Sequence, residues 1–254
     1  GKEITVKELQ HNDDFKGVDI AFTSAGAGTS KEFAETITKH GAIMIDNSSA
    51  FRMDEDVPLV VPEVNGDDAC NTPRNIIANP NCSTIQSIIP LKALEEKYGL
   101  KRVVYSTYQA VSGSGMKGIK DLENTLKGEE NAFYPHKIAE TCIPEIDSFL
   151  DNGYTKEEIK MVNETRKMLH KPELPISATC IRVPVPNCHG VLVHAQLKEE
   201  FNIDALKNRK HNKRGIMKKA FNRKYLIDLI AMAFLFVFSN FIFVPRSASA
   251  ANYT

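Results

Sequence analysis

The chain has 254 residues, and its 32 Lys plus Arg balance 32 Asp plus Glu. That length allows one large domain or two ordinary ones with buried cores, and the charge balance excludes the basic field expected of a nucleic-acid binder. The five cysteines, Cys70, Cys82, Cys142, Cys180 and Cys188, include no Cys-x-x-Cys pair. Neither a disulfide framework nor a zinc ribbon is expected, and a reducing cytoplasm suits the body of the chain. Gly1 stands where a methionine would, which reads as a missing or processed N-terminus.

From residue 17 to about 200, short apolar strands alternate with amphipathic helices. Val18–Phe22 reads as a strand and is followed by a Gly/Ser turn at Ser24–Ser30. Thr29 and Glu32 have capping-box spacing, predicting a helix that runs towards His40 and stops at Gly41. Ala42–Ile45 is the next strand, a long connection passes Pro58 and Pro62, and Asn75–Ala78 is the third strand. A helix is predicted from Cys82 to Tyr98, with Gly99 as its stop and a kink or irregular turn at Pro90. Arg102–Tyr108 reads as a strand and Met116–Leu126 as a helix. Thr155 and Glu158 form a second capping-box pair, opening a helix through about Leu169. Ile176–Val185 and Val191–Leu197 have strand length and pattern. The alternation predicts an α/β chain with parallel pairing in its first part. The later strands follow each other too closely for crossovers, which predicts a mixed or antiparallel sheet.

The C-terminal end changes character. His211–Lys224 is crowded with Lys and Arg, and Leu226–Val244 is almost wholly apolar. Ser247-Ala-Ser-Ala250 then offers a small-residue cleavage pattern, with Met217 as a possible start. The apolar run approaches the ~20 residues that span a bilayer. A hydrophobic C-terminal helix is therefore expected, with membrane contact through 226–244. A signal peptide from a joined reading frame is the other reading of the same residues.

Cys82, in Asn79-Pro-Asn-Cys-Ser-Thr84, falls where a loop gives way to a helix. Unpaired N–H groups and the helix dipole at such a terminus favour a thiolate and can stabilise an oxyanion. A buried structural cysteine is the ordinary alternative. Glu157 and Lys160 lie at i, i+3 and share a helix face, which by itself suggests a solvated ion pair. The pairs Cys180/Cys188 and His189/His194 form no compact ligand pattern, so no metal is expected.

Several words of the sequence resemble the aspartate-semialdehyde dehydrogenase family. They are Asn79-Pro-Asn-Cys-Ser-Thr-Ile-Gln86, Asp46-Asn-Ser-Ser-Ala-Phe-Arg52, Val57–Asn65, Ser106–Gly115, Glu157–Met168 and Ser177-Ala-Thr-Cys-Ile-Arg-Val-Pro-Val185. They span residues 1 to about 205 in the family's order. The resemblance implies an incomplete Rossmann-like NADP-binding domain over 1–81 and an incomplete α+β catalytic and dimerisation domain over 82–205. A basic linker and hydrophobic tail fill 206–254. It further implies NADP-dependent reductive dephosphorylation of 4-phospho-L-aspartate to L-aspartate 4-semialdehyde through a cysteine thioester, in a homodimer or homotetramer. Cys82 matches the nucleophile, His189 the acid/base group and Gln109 the substrate-orienting glutamine. Arg182 matches the clamp on the substrate α-carboxylate, and Glu157 the group that meets its ammonium. Arg52, Asn81 and Lys160 match the phosphate site. Ser24, Ala25 and Gly26 match one cofactor-side turn, and Ser112 and Gly113 another.

The family's opening strand and glycine-rich phosphate loop do not precede Gly1, so NADP binding is expected to be impaired. Two rivals stand beside this reading. N-acetyl-glutamyl-phosphate reductase uses the same chemistry on a substrate without a free ammonium. An inactive membrane-attached remnant would act as an interaction module.

Overall fold

In the computed structural model, which describes residues 5–202, three short apolar strands make a parallel sheet in the order β1-β2-β3. They are β1 (Ile20–Thr23), β2 (Ile43–Asp46) and β3 (Ile76–Ala78). Met44 and Ile76 on one face join the main core, while Ile45 and Ile77 on the other pack with Val60 and Ala69. Apolar residues on both faces are what a parallel sheet covered on two sides requires. Helix α1 (Ala27–Thr38) connects β1 to β2 and buries Phe33, Ala34 and Ile37. A short helix α2 (Pro62–Asn65) and a 3₁₀ turn at Gly66–Cys70 lie between β2 and β3.

The second sheet has the order β5-β4-β6. Its centre is β4 (Leu100–Gln109), parallel to β5 (Ile176–Arg182) and antiparallel to β6 (His189–Leu197). This is the mixed sheet expected from the sequence. Helix α3 (Cys82–Tyr98) leads from the first sheet into β4; α4 (Gly115–Leu126) and α5 (Lys156–Met168) precede β5. One apolar cluster contains Met44 and Ile76 of the first sheet, Ile88 and Leu91 of α3, Val103 and Tyr105 of β4, and Met161 and Met168 of α5. The two sheets therefore share a core, and the ends of both can contribute to one site.

Local chemistry explains where the elements begin and stop. Thr155 Oγ1 accepts from Glu158 N while Glu158 Oε2 accepts from Thr155 N, completing the predicted capping box. The other Glu158 oxygen accepts from Cys180 N at 3.0 Å, so the same cap ties α5 to β5. Gly99 ends α3 with φ 65°, a conformation that Cβ-bearing residues disfavour.

Several expectations are corrected. The Thr29/Glu32 capping box does not form: α1 starts at Ala27, because Gly26 at φ 95° turns the chain into the helix earlier. Pro90 does not interrupt α3. Pro90 and Gln86, four residues before it, are both exposed, so water can satisfy the carbonyl freed by the missing N–H. The strand expected over Ile176–Val185 ends at Arg182, just ahead of Pro184, which has no N–H to offer a ladder. Among the described residues no helix is long and apolar enough to cross a membrane. The hydrophobic helix expected at 226–244 and the pattern at Ser247–Ala250 lie outside the described residues.

Replacing the fully buried Thr155 by Ala is expected to lower stability by about 1 kcal/mol, the usual worth of an N-cap. Urea denaturation followed by circular dichroism measures this; an unchanged midpoint contradicts the role of the cap.

Candidate active site

The loops at the carboxyl ends of β1, β2 and β3 meet, as ligand-binding loops of parallel sheets do. Asn47 Nδ2 donates to Ser24 Oγ at 3.2 Å, and Asn79 Nδ2 donates to Asn47 Oδ1 at 2.7 Å. Asn79-Pro80-Asn81 then delivers the chain to α3, whose first residue is Cys82. Asn81 is the N-cap: its Oδ1 accepts from Ser83 N at 2.8 Å and Thr84 N at 3.2 Å. Its Nδ2 donates to Glu157 Oε1 at 2.8 Å. The side chain that caps the helix of Cys82 is thus also anchored on α5.

The other half of the site is a row across the mixed sheet. Gln109 at the end of β4 stands in register with Arg182 of β5 on one side and His189 of β6 on the other. Gln109 is buried, and its Nε2 donates to Glu157 Oε1 at 3.1 Å and to Thr107 Oγ1 at 3.2 Å. One carboxylate oxygen of Glu157 therefore receives both Asn81 and Gln109, joining the helix cap of Cys82 to the sheet row. Arg182 is buried and its Nη1 donates to Ala110 O at 2.6 Å, while its Nε has no partner among the described residues. His189 Nδ1 accepts from Ala110 N at 3.1 Å. The neutral ring then carries its proton on Nε2. Gly113 faces this pair. A Cβ there would lie 2.9 Å from Arg182 Nη1 and 3.3 Å from His189 Nε2.

The charges do not all match the sequence expectation. Cys82 was expected to be ionised at the helix terminus. Its thiol is instead pushed up, first by burial and then by the negative charge of Glu157; Ser83 and Arg52 pull it back only in part. Although the residue surface reaches solvent, protein crowds the thiol, so a base must assist its ionisation. His189 is held below the ordinary imidazole value by burial, with Arg182 adding to the effect. It is consequently neutral at pH 7. Burial pulls the Lys160 ammonium down, but the bond to Asp147 and the charges of Glu157 and Asp147 outweigh it and leave it raised. Cys180, buried beside the row, is pushed up to about 12 by burial and is inert.

Eight residues singled out from the sequence thus fall into connected positions, with different degrees of commitment. Cys82, Asn81, Glu157 and Gln109 are linked as described, and Arg182 and His189 flank Gln109. Lys160 Nζ donates to Asp147 Oδ2 at 2.9 Å and more weakly to Glu157 Oε2 at 3.5 Å. Arg52 is buried, with Nε on Asn79 O at 2.8 Å, Nη2 on Asn47 O at 3.1 Å and Nη1 on Glu164 Oε1 at 3.1 Å. Much of the donor capacity of Arg52 and Asn81 therefore serves the protein. Ser24, Ala25 and Gly26 form the turn from β1 into α1, in the other sheet from Ser112 and Gly113, which follow β4. Both turns fit a nucleotide cofactor. Gly26 leaves α1 without a side-chain cap and has open space beside it, and Ser112 Oγ is buried without a partner among the described residues. Sequence reasoning missed Glu164 and Asp147. The position of Glu164, two turns beyond Glu157 on one helix face, was the available signal for the first.

A parallel sheet of nucleotide-binding type, joined through a helix-terminal cysteine to a mixed sheet, defines a two-part dehydrogenase architecture. Residues 1–72 match the family model described as "Semialdehyde dehydrogenase, NAD binding domain", and residues 91–221 the one described as "Semialdehyde dehydrogenase, dimerisation domain". The chain belongs to the semialdehyde dehydrogenase family. It is 49% identical over 225 residues to the aspartate-semialdehyde dehydrogenase of Aquifex aeolicus, covering 85% of this chain and 66% of that one. It is 46% identical over 231 residues to the Campylobacter jejuni enzyme of the same name, covering 87% and 65%. The crystal structure of aspartate semialdehyde dehydrogenase II complexed with ASA from Vibrio cholerae superposes with a TM-score of 0.74 at 43% identity, covering 77% of this chain and 60% of that one. The chain thus spans about two thirds of the length of the curated relatives it matches.

The lowered imidazole can be checked directly. The His189 ring is expected to titrate below the ordinary ~6.5, as followed by its carbon-bound proton resonances in NMR with His189→Gln for assignment. A midpoint at or above that value contradicts the buried placement beside Arg182.

Proposed function

We propose that this protein performs the NADP-dependent reductive dephosphorylation of 4-phospho-L-aspartate to L-aspartate 4-semialdehyde through a thioester on Cys82. The observation that carries the reading is the shared oxygen of Glu157, which links the helix cap of Cys82 to the row Arg182–Gln109–His189. On this reading residues 1–81 form the nucleotide-binding part and 82–205 the catalytic and dimerisation part.

The Cys82 sulfur attacks the acyl carbon, the bond from that carbon to the phosphate oxygen breaks, and inorganic phosphate leaves. Arg182 takes the α-carboxylate with a planar fork, for which its unpartnered Nε is available. Glu157 receives the α-ammonium and Gln109 orients the acyl group. Lys160 serves the phosphate from its rim position, with the remaining N–H groups of Arg52 and the amide of Asn81. The N–H of Cys82, which is not among the amides that Asn81 caps, would face charge developing at the carbonyl oxygen. His189, neutral at pH 7, exchanges a proton with the reacting sulfur and oxygen from Nε2. The thioester carbon would take hydride from NADPH when it is bound, after which the carbon–sulfur bond breaks, the aldehyde leaves and the Cys82 sulfur is free to be reprotonated by His189. Ser24, Ala25 and Gly26 would hold the cofactor on one side, and Ser112 and Gly113 beside the row. A soft sulfur suits this sequence because a thioester accepts hydride more readily than an oxygen ester.

The open outer face of β4 and β6 exposes Tyr108 and Leu192, which suits packing against a second copy of the chain in a homodimer or homotetramer. All five cysteines are free, in keeping with a cytoplasmic setting.

The acylation half-reaction tests the chemistry without requiring hydride. Incubation with 4-phospho-L-aspartate is expected to release phosphate and add one aspartyl group to Cys82, read by peptide mass spectrometry. Cys82→Ser should reduce adduct formation by at least about 10³-fold, and Arg182→Lys should slow it by roughly 10–100-fold through loss of the fork. Absence of an adduct on Cys82, or equal labelling by N-acetyl-glutamyl phosphate, contradicts the assignment.

A further inference from the structure

Glu164 is 1% exposed and stands on α5 seven residues beyond Glu157. Its two oxygens reach different parts of the site. Oε2 accepts from the backbone N–H of Asn81 at 2.6 Å, and Oε1 accepts from Arg52 Nη1 at 3.1 Å. Arg52 in turn donates from Nε to Asn79 O at 2.8 Å. The turn Asn79-Pro80-Asn81 is therefore held on both sides of a proline that has no N–H of its own. Arg52 grips the carbonyl before Pro80, and Glu164 grips the N–H after it. Lys167, one further turn along α5, donates to Arg52 O, Asp54 O and Val57 O at 2.9, 2.7 and 2.8 Å. One face of α5 thus fixes both the loop carrying Arg52 and the peptide that precedes Cys82.

Packing alone does not account for a carboxylate at this depth. An apolar side chain would fill the space without needing charged partners. We propose that Glu164 is a positioning residue for the nucleophile, locking Arg52 to the Asn81 peptide and offsetting the field that Arg52 exerts on Cys82. The inference rests on the reading of Cys82 as the nucleophile.

Arg52 from the loop after β2 and Ser83 from α3 favour the Cys82 thiolate, and Glu157 from α5 opposes it. Lys160 and His189 act on Glu157 in turn, and Cys180 of β5 interacts with the Cys82 sulfur. Burial pushes the Glu164 carboxyl up, against the pull of Arg52 and of the Asn81 N–H. In its ionised form it compensates the guanidinium it bonds, and exchange for a neutral amide removes that compensation. The substitution Glu164→Gln preserves shape but can accept from only one of the two donors and presents N–H to the other.

The test measures the rate of Cys82 alkylation by iodoacetamide against pH in the full chain, with peptide mass spectrometry to separate Cys82 from the other cysteines. In E164Q the midpoint is expected to fall by half a unit or more, about a threefold gain in rate below the midpoint. Glu164→Asp, which keeps the charge, should stay nearer the parent. A midpoint unchanged in E164Q overturns the proposal. If E164Q fails to fold by circular dichroism, Glu164→Asp carries the test: its carboxylate, drawn back by one methylene, compensates Arg52 less, so a smaller fall in the midpoint supports the proposal and an unchanged midpoint overturns it. A parent Cys82 no more reactive than exposed Cys70 would instead defeat the nucleophile assignment, while the parent-to-E164Q difference would still judge Glu164.

Discussion

The site depends on a buried carboxylate, that of Glu157, accepting from two amides that belong to different sheets' ends. Asn81 arrives with the cap of α3, and Gln109 arrives with the last rung of β4. Neither amide could be removed from water cheaply without such an acceptor. Nor could Glu157 be buried without donors, so the three stabilise one another's placement. The capping box at Thr155 and Glu158 starts α5 immediately beside Glu157. The bond from Glu158 to Cys180 N then sets α5 against β5, and β5 carries Arg182 into the same row. A local helix-start motif is in this way coupled to the alignment of the Arg182–Gln109–His189 row contributed by three strands.

The electrostatics describe a resting site. Burial and Glu157 keep Cys82 as a thiol, and the same burial, with Arg182, keeps His189 uncharged. A neutral thiol and a neutral imidazole cost less to bury than the corresponding ion pair. On the proposed reading, a substrate ammonium over Glu157 would offset the repulsion that now disfavours the thiolate. Substrate binding and nucleophile activation would then be linked through one carboxylate, a coupling that follows from the placement of Glu157 between Asn81 and the sheet.

Much of this was legible in the sequence because the chemistry sits in contiguous words. Asn79–Gln86, Ser106–Gly115 and Ser177–Val185 contain Cys82, Gln109 and Arg182, and Thr155/Glu158 marked the start of α5 correctly. Non-local geometry was less accessible. The pairing of β4 with both β5 and β6, which aligns Gln109 with Arg182 and His189, depends on long-range register and not on any one segment. Thr29 and Glu32 had the right spacing for a capping box, yet the turn conformation at Gly26 determined the start of α1. The helix-terminal position of Cys82 suggested an ionised thiol, but a dipole argument made from one segment omits the burial and the charge that α5 brings in. Arg52 was matched to the phosphate site, but its bonds to Asn47, Asn79 and Glu164 join segments that no single word of the sequence contains.

The closeness of sulfur and imidazole is the claim most directly open to measurement. A crystal structure of the chain with Cys82 carboxamidomethylated would place a carbonyl oxygen where the acyl oxygen of substrate is expected. The account predicts that this oxygen lies within hydrogen-bonding reach of His189 Nε2, roughly 2.6–3.2 Å or across one water. An adduct directed away from the Arg182–Gln109–His189 row, farther than a single water can bridge, would contradict it.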